Sequence, residues 1–375
     1  MIEEYGKGFA RMIREWLAAM LRGDNPHWMF PEAMPHDAIS DQANAEGILA
    51  LLHERMNDAD SQADIPVSFR EHIGELARRK AQLSLMREAE CRKILSHLHS
   101  AGINVLLLKG SALAYWAYPS AHLRDCSDID LLFSSHAETL RAIACLESLD
   151  YRLRDPVLAG DLVSFEHTCV RNSVSGTGLE IDLHWQLSSS PIFAFRFHFD
   201  ELNRQAISLP KLGEFARGLS PEHAFFNACM HRIQNMAEGS ENSLKWLYDL
   251  HLLGSSFAPS QWQAMLDIAI ERNLAGACRD GLLAAQHEFH TIVPDAILAS
   301  LLRAEKNEIM KTGKMHRWFY IQYMSFMAFA NWPLRMRWLR QRLFPNAAYL
   351  KMRYGETNWI GLLLKRIKAG FRRLF

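Results

Sequence analysis

The sequence predicts an α+β fold in which a small mixed β-sheet core with its own helices lies between two helical regions. Apolar residues recur every three or four positions through most of the first hundred residues. Short apolar runs of strand length then alternate with helical segments, and helical patterns return from residue 220 onward. We therefore expect an N-terminal helical region (1–100), an α+β core (101–190) and a C-terminal helical domain with a basic tail (191–375).

The N-terminal region is expected to consist of helices separated by polar loops. Helices are predicted over Met1–Met20, Ala45–Met56 and Val67–Ser100, where the apolar residues form stripes. The stretches Gly23–Asn44 and Asn57–Pro66 are rich in Asp, Asn and Pro and are predicted to be loops. Charged residues are spread through the first helix, so it lacks the apolar run of a signal peptide.

The core is expected to have the order β-α-β-α-β-β. Its predicted elements are strand Ile103–Leu108, helix Ala112–Tyr118, strand Ile129–Phe133, helix His136–Leu149, strand Leu162–Arg171 and strand Leu179–Leu187. A Ser-Gly-Thr-Gly turn at 175–178 predicts that the last two strands form a hairpin. Beyond the core, Ser220 followed by Pro221 predicts a helix start, with Ser as the N-cap and Pro at the first helical position.

Composition places the chain among ordinary globular proteins of two or three domains. It has 375 residues, of which 49% are hydrophobic, and 42 Lys/Arg balance 42 Asp/Glu. This balance argues against a polyanion-binding surface over the whole chain. No two of the six cysteines form a C-x-x-C pair, so we expect buried free thiols and a cytoplasmic protein. The uncharged stretch Trp318–Leu334 falls short of a bilayer span, and we expect a core helix and no transmembrane segment.

Polar residues concentrate at the ends of the predicted core strands. Gly110 and Ser111 follow the first strand and open a helix, whose free N–H groups suit phosphate. Asp128 and Asp130 share one face of the second strand, because alternate residues of a strand point to the same side. Asp182 lies on the polar face of the last strand. These three carboxylates predict a Mg²⁺ (or Mn²⁺) site that acts together with substrate phosphates.

This arrangement resembles the polymerase-β-like nucleotidyltransferase superfamily, and more particularly a bacterial family of uncharacterised nucleotidyltransferases. The core motifs that carry the resemblance are Leu108-Lys109-Gly110, Arg124, Asp128 to Leu132, and Asp182-Leu183-His184-Trp185. The motifs that resemble its helical half are Ser220-Pro221-Glu222, His231 and Leu244 to Asp249. Each motif is weak alone, and their occurrence together in this order is fairly specific.

The resemblance implies transfer of a nucleoside monophosphate from an NTP to an acceptor hydroxyl, with release of pyrophosphate and a two-metal mechanism. It implies that Asp128 and Asp130 hold Mg²⁺ on the NTP phosphates and that Asp182 completes the second metal site. The nucleotide-binding residues that it implies are Lys109, Gly110, Ser111, Arg124 and Lys245. The acceptor can be a small molecule, a glycan or RNA.

Several of these residues also have a purely structural interpretation. Ser111 can cap its helix, and Lys109 can form an ion pair instead of contacting phosphate. Lys245 and Asp249 are four residues apart on a predicted helix, which favours a salt bridge within that helix. The sequence leaves open the roles of three residues: His184, His231 and Asp249.

Two other functions fit the same residues. One is a non-catalytic nucleotide-binding or scaffold protein of the same fold, and the presence of all three carboxylates favours the enzyme over it. The other is a toxin-like nucleotidyltransferase that modifies RNA. The sequence contains no P-loop, H-E-x-x-H, G-x-S-x-G or G-x-G-x-x-G motif, which argues against the chemistries that these motifs serve.

The segment 334–375 is strongly basic, with 11 Lys/Arg and one acidic residue, and aromatic residues are interleaved among the charges. Three partners fit this pattern: RNA or another polyanion, an anionic membrane surface, and the body of the protein itself. The last is supported by the acidic character of residues 1–60, which hold 11 acidic and 5 basic residues.

Overall fold

The computed structural model of the chain describes residues 2–31, 34–58, 64–155, 158–171, 178–355 and 361. Its strands are β1 (Leu106–Leu107), β2 (Ile129–Leu132), β3 (Arg152–Leu153), β4 (Glu166–Arg171), β5 (Leu179–His184), β6 (Ile207–Ser208) and β7 (Arg217–Gly218). They form one mixed seven-stranded sheet in the order β3-β4-β5-β2-β1-β7-β6. The pairs β2–β5 and β1–β7 are parallel, and the other neighbours are antiparallel.

Helices precede, separate and follow these strands along the sequence. In the N-terminal half they are α1 (Ile2–Arg22), α2 (His36–Ala45), α3 (Leu49–Asn57), α4 (Val67–Ser100), α5 (Lys109–Leu113), α6 (His136–Glu147), α7 (Pro191–Ala194) and α8 (Phe199–Arg204). In the C-terminal half they are α9 (Pro221–Gln234), α10 (Leu244–Ser256), α11 (Pro259–Glu271), α12 (Ala275–Phe289), α13 (Asp295–Glu305), α14 (Trp318–Met327), α15 (Trp332–Leu343) and α16 (Ala347–Tyr354). The architecture confirms the predicted α+β class with a helical region on each side of the sheet.

The register between β2 and β5 sorts apolar from acidic side chains. Ile129 lies opposite Ile181 and Leu131 opposite Leu183, and all four are buried. They pack against α4 and α6 in one hydrophobic cluster. Since neighbouring residues of a strand point to opposite faces, the same register brings Asp130 opposite Asp182 on the other face of the sheet.

A second and larger core joins the two helical regions. Buried residues of α1, α2 and α3 pack with those of α9, α10, α12 and α13 in one cluster. Polar contacts reinforce this junction: the backbone N–H of Leu244 donates to Glu46 Oε2 at 2.7 Å, and Arg14 Nη1 lies 3.0 Å from Glu288 Oε1. The start of α10 is thereby fixed against the turn between α2 and α3.

Several predicted elements are confirmed at residue level. Helix α4 has the predicted bounds, and the Ser220 hydroxyl caps α9 by accepting a hydrogen bond from the His223 N–H. The six cysteines are free, and four of them are buried. The predicted hairpin pairs β4 with β5, while its turn at 175–178 lies almost wholly outside the described residues.

Three predicted elements are wrong. The helix predicted over Ala112–Tyr118 is instead the shorter α5, which begins three residues earlier and ends at Leu113. The stretch Gly23–Asn44 is not all loop, because α2 begins at His36 after Pro35, which supplies no side-chain cap and therefore gave no start signal. Trp318–Leu334 is not one core helix, because it contains the whole of α14 and the first three residues of α15, and Asn331 caps α15. None of the helices in the described part of the chain has the length and apolar character that a bilayer crossing requires.

The described part of the basic segment is partly docked on the protein body. Trp338 of α15 is buried against Phe326 and Phe329, and Arg337 forms an ion pair with Asp161. For α15, the contact with the protein's own body is therefore observed. The last part of the basic segment, residues 356–375, lies outside the described residues, apart from residue 361.

Candidate active site

A buried carboxylate held by two cationic groups forms the centre of the site. Asp130 is only 3% exposed, and its Oδ1 lies 2.6 Å from Lys109 Nζ and 3.0 Å from His184 Nε2. Burial alone would raise the pKa of this carboxyl, but Lys109 and His184 together hold its pKa well below the usual range. Asp130 is therefore ionised at neutral pH.

Lys109 reaches Asp130 from an unusual backbone conformation. Its φ of 48° lies in the left-handed region, at the point where β1 ends and α5 begins. The following residue, Gly110, has no room for a side chain, since a Cβ there would lie 2.6 Å from Cys126 Sγ. Strained backbone of this kind persists where the surroundings enforce it and is common at functional sites. Of the two interpretations of Lys109, the structure shows the ion pair, which Lys109 forms with Asp130.

The hydroxyl of Ser111 joins α5 to the start of β2. It donates to the backbone carbonyl of Asp128 at 3.2 Å and accepts from the backbone N–H of Asp130 at 3.1 Å. Ser111 is buried, and both contacts go to the strand that carries the two carboxylates. Its side chain therefore fixes α5 against the metal-binding motif predicted from the sequence.

The parallel pairing of β2 and β5 brings together a group able to hold a metal ion. Ligand atoms of Asp130, Asp182 and His184 lie within 4.8 Å of one another. Burial first, and then the charges of Asp130 and Asp128, raises the pKa of Asp182 to about 6, although Thr168 Oγ1 donates to its Oδ1 at 2.6 Å. Asp128 lies outside the close group, and burial and Asp130 raise its pKa as well. A divalent cation would relieve the repulsion among these carboxylates, and carboxylate oxygens are the ligands that Mg²⁺ and Mn²⁺ prefer.

His184 lies between two carboxylates. Its Nε2 faces Asp130, its Nδ1 is 3.1 Å from Glu166 Oε2, and the side chain is 2% exposed. Burial and Lys109 lower the pKa of this ring, but the two carboxylates outweigh them and raise it to about 9. Sequence reasoning missed Glu166. Glu166 meets His184 only through the register between β4 and β5, which no local pattern in the sequence specifies.

The sequence as a whole also matches a known protein family. A family described as uncharacterised nucleotidyltransferases matches residues 32–290, which include every strand of the sheet and the helices from α2 to α12. The chain belongs to this family. No curated protein matches the chain. The resemblance predicted from the sequence motifs is therefore confirmed at the level of the family.

In this nucleotidyltransferase-family chain, Arg124 lies in a buried ion pair with Asp249. The guanidinium donates from Nε and Nη2 to the two carboxylate oxygens, both at 2.7 Å, and Tyr118 donates its hydroxyl to the same carboxylate. The predicted salt bridge between Lys245 and Asp249 is wrong, because Asp249 faces Arg124 and not Lys245. A contact between Arg124 and the triphosphate stays a prediction.

Lys245 lies in a cavity beside the chain segment that leads into β2. We call it the cationic cavity after its four basic wall residues: Lys80, Arg87, Arg124 and Lys245. Lys80 and Arg124 have carboxylate partners, whereas Arg87 and Lys245 have no anionic partner among the described residues. Burial first, and then the charge of Arg124, lowers the pKa of Lys245. The cavity therefore carries a surplus of positive charge.

The raised pKa of Asp182 predicts an effect on stability. A carboxyl whose folded-state pKa is about 6, against an ordinary 3.8, favours folding below pH 4 and loses that advantage as the pH rises through 6. Asp182→Asn should therefore raise the free energy of unfolding at pH 7.5 in EDTA by on the order of 1 kcal/mol, which appears as a higher Tm. The gain should shrink as the pH falls towards 4. A lower Tm for the variant at pH 7.5 would contradict this electrostatic account.

The Arg124–Asp249 pair predicts a larger and opposite effect. Asp249→Asn leaves a buried guanidinium without its counter-charge, which should lower the free energy of unfolding by roughly 3 kcal/mol. The matched control is Asp161→Asn, which breaks the half-exposed pair with Arg337 and should cost less than about 1 kcal/mol. Denaturant titrations of both variants measure the difference. Equal losses would show that the buried pair contributes no more than a surface one.

Proposed function

We propose that the chain is a Mg²⁺-dependent (or Mn²⁺-dependent) nucleotidyltransferase that moves a nucleoside monophosphate from an NTP to an acceptor hydroxyl and releases pyrophosphate. The observation that carries this proposal is the alignment of Asp130 with Asp182 across β2 and β5, with Asp128 two residues before Asp130. The family assignment supports the same reaction class.

The residues that would hold the metal are Asp128, Asp130 and Asp182. When bound, the metal would neutralise the phosphate oxygens and stabilise the attacking and leaving oxygens of an in-line displacement at the α-phosphorus. Asp130 offers its Oδ2 for this purpose, since both cationic neighbours contact Oδ1 and the described residues provide no partner for Oδ2.

His184 and Lys109 act in this proposal as positioning residues for Asp130. Both ring nitrogens of His184 face carboxylates, so the ring is engaged as a bridge between Asp130 and Glu166. Lys109 contacts the same carboxylate oxygen from the strained turn between β1 and α5. Together they orient the carboxylate before any substrate arrives, which lowers the cost of binding.

We assign the β and γ phosphates of the NTP to the start of α5 and the cationic cavity. The backbone N–H groups of Gly110 and Ser111 lie at the first turn of α5. Lys245 and Arg87 supply positive charge without an anionic partner among the described residues. Arg124 stays bound to Asp249 in this assignment and contributes to the local potential from within its ion pair.

The acceptor side is assigned to Asp182, which lies on the neighbouring strand and away from the cationic cavity. A small molecule, a glycan or RNA can present the hydroxyl. For a polyanionic acceptor or membrane surface, the basic segment 334–375 is the proposed contact, since Arg340 of α15 is exposed. We place the reaction in the cytoplasm, where the six thiols remain reduced.

The decisive variant is Asp128→Asn, because Asp128 is half-buried and forms no ion pair with any described residue, so its loss should spare the fold. We expect Mg²⁺-dependent NTP affinity to fall by about 100-fold or more, since even outer partners of metal ligands are worth about 10–100-fold. Calorimetric titration of each NTP, with and without Mg²⁺, measures this. Asp161→Asn serves as the control of equal charge change. Unaltered Mg²⁺-dependent binding in Asp128→Asn would remove this residue from the site.

A further inference from the structure

A second cavity lies between α5 and the pair α9–α10 and shares Arg124 with the cationic cavity. One face of α9 forms its wall, with Ala224, Asn227, Ala228 and His231 at helical spacing, and Trp116 and Trp246 lie around them. We call this space the α9 cavity.

The α9 cavity adjoins the candidate active site through Lys109. Lys109 and Arg124 both line it, and Lys109 is the residue that binds the Asp130 carboxylate. A ligand held here would therefore have its anionic end at Lys109, next to the acidic group. Burial first, and then Lys109, lowers the pKa of His231 to about 3, so this wall residue is a neutral imidazole with one donor and one acceptor.

Two polar groups of the wall have no partner. Asn227 is 3% exposed, and no hydrogen bond of its side-chain amide is found among the described residues. The indole Nε1 of Trp116 is buried and likewise has no partner in the described part of the chain. Buried polar groups are nearly always hydrogen-bonded, because an unmet group costs free energy. Both residues line the α9 cavity, where a ligand with an acceptor for the indole N–H and with donors and acceptors for the amide would complement them.

The remaining walls suit a flat ring. The His231 and Trp246 rings meet edge to face, with centroids 4.6 Å apart and an interplanar angle of 87°. Leu107, Leu113 and Leu219 add apolar surface. A nucleobase combines a flat π-face with donors and acceptors along its edge, and aromatic side chains bind that face whichever base is present. An amide side chain pairs with such an edge through two hydrogen bonds.

We propose that the α9 cavity binds the nucleobase of the NTP and that Asn227 hydrogen-bonds the base edge. This inference rests on the proposed function and adds to it a residue that determines which NTP is accepted. The triphosphate leaves the cavity past Lys109 toward Asp128 and the cationic cavity. Trp116 supplies a further donor from its indole N–H.

Calorimetry with Mg²⁺ tests the proposal, using ATP, GTP, CTP, UTP and inorganic tripolyphosphate as probes. We expect at least one NTP to bind more tightly than tripolyphosphate. Asn227→Ala should weaken that NTP by roughly tenfold, the worth of one or two lost hydrogen bonds, and leave tripolyphosphate affinity unchanged. Trp116→Phe keeps the ring, removes only the N–H and should weaken the same NTP several-fold. Asn307→Ala, an exposed residue after α13, is the control.

The results separate this inference from the proposed function. If all four NTPs bind no better than tripolyphosphate, or if Asn227→Ala and Trp116→Phe both retain full NTP affinity, the base does not lie in the α9 cavity. The nucleotidyltransferase assignment then survives. If neither NTPs nor tripolyphosphate bind to the folded protein, both proposals are overturned. Retained tripolyphosphate affinity in each variant also verifies that the variant is folded.

Discussion

The neutralisation of one buried carboxylate is the constraint on which the site depends. Asp130 is almost inaccessible to water, and a buried charge is tolerated only when it is paired and hydrogen-bonded. Lys109 and His184 meet this need at one oxygen, and no described residue contacts the other. The same requirement explains the left-handed backbone at Lys109, since an extended or helical residue there would direct its side chain elsewhere. It also accounts for Glu166, whose carboxylate lies next to the second ring nitrogen of His184.

The two helical regions complete the site instead of merely flanking it. The junction between Glu46 and the start of α10 fixes the helix that carries Lys245 and Asp249. Asp249 then holds Arg124, which stands between the cationic cavity and the α9 cavity and lines both. The sheet thus provides the carboxylates, and the helices provide the positive charge and the aromatic walls. A substrate with an anionic group that binds metal and a flat ring would complement these two sets of side chains.

The sequence predicts those features that depend on local pattern. The long helix α4, the Ser220 cap and the strand β2 with Asp130 were recognisable because periodicity and capping depend on residues that are close in the sequence. Features that depend on distant pairing were not recognisable. The register that puts Glu166 beside His184 is one, and the Arg124–Asp249 pair, 125 residues apart in the chain, is another. The two-residue strands β6 and β7 are too short to show any alternation, so the sheet extends beyond the predicted core.

The most direct measurement of the central claim compares the fate of the α and γ phosphates of the NTP. The protein is incubated with Mg²⁺, fractions of cell extract and NTP labelled at either position. A nucleotidyltransferase that uses Asp128, Asp130 and Asp182 at the α-phosphorus transfers the α label to an acceptor and releases the γ label as pyrophosphate. Transfer of the γ label to an acceptor, or release of the γ label as inorganic phosphate without α transfer, would contradict the account.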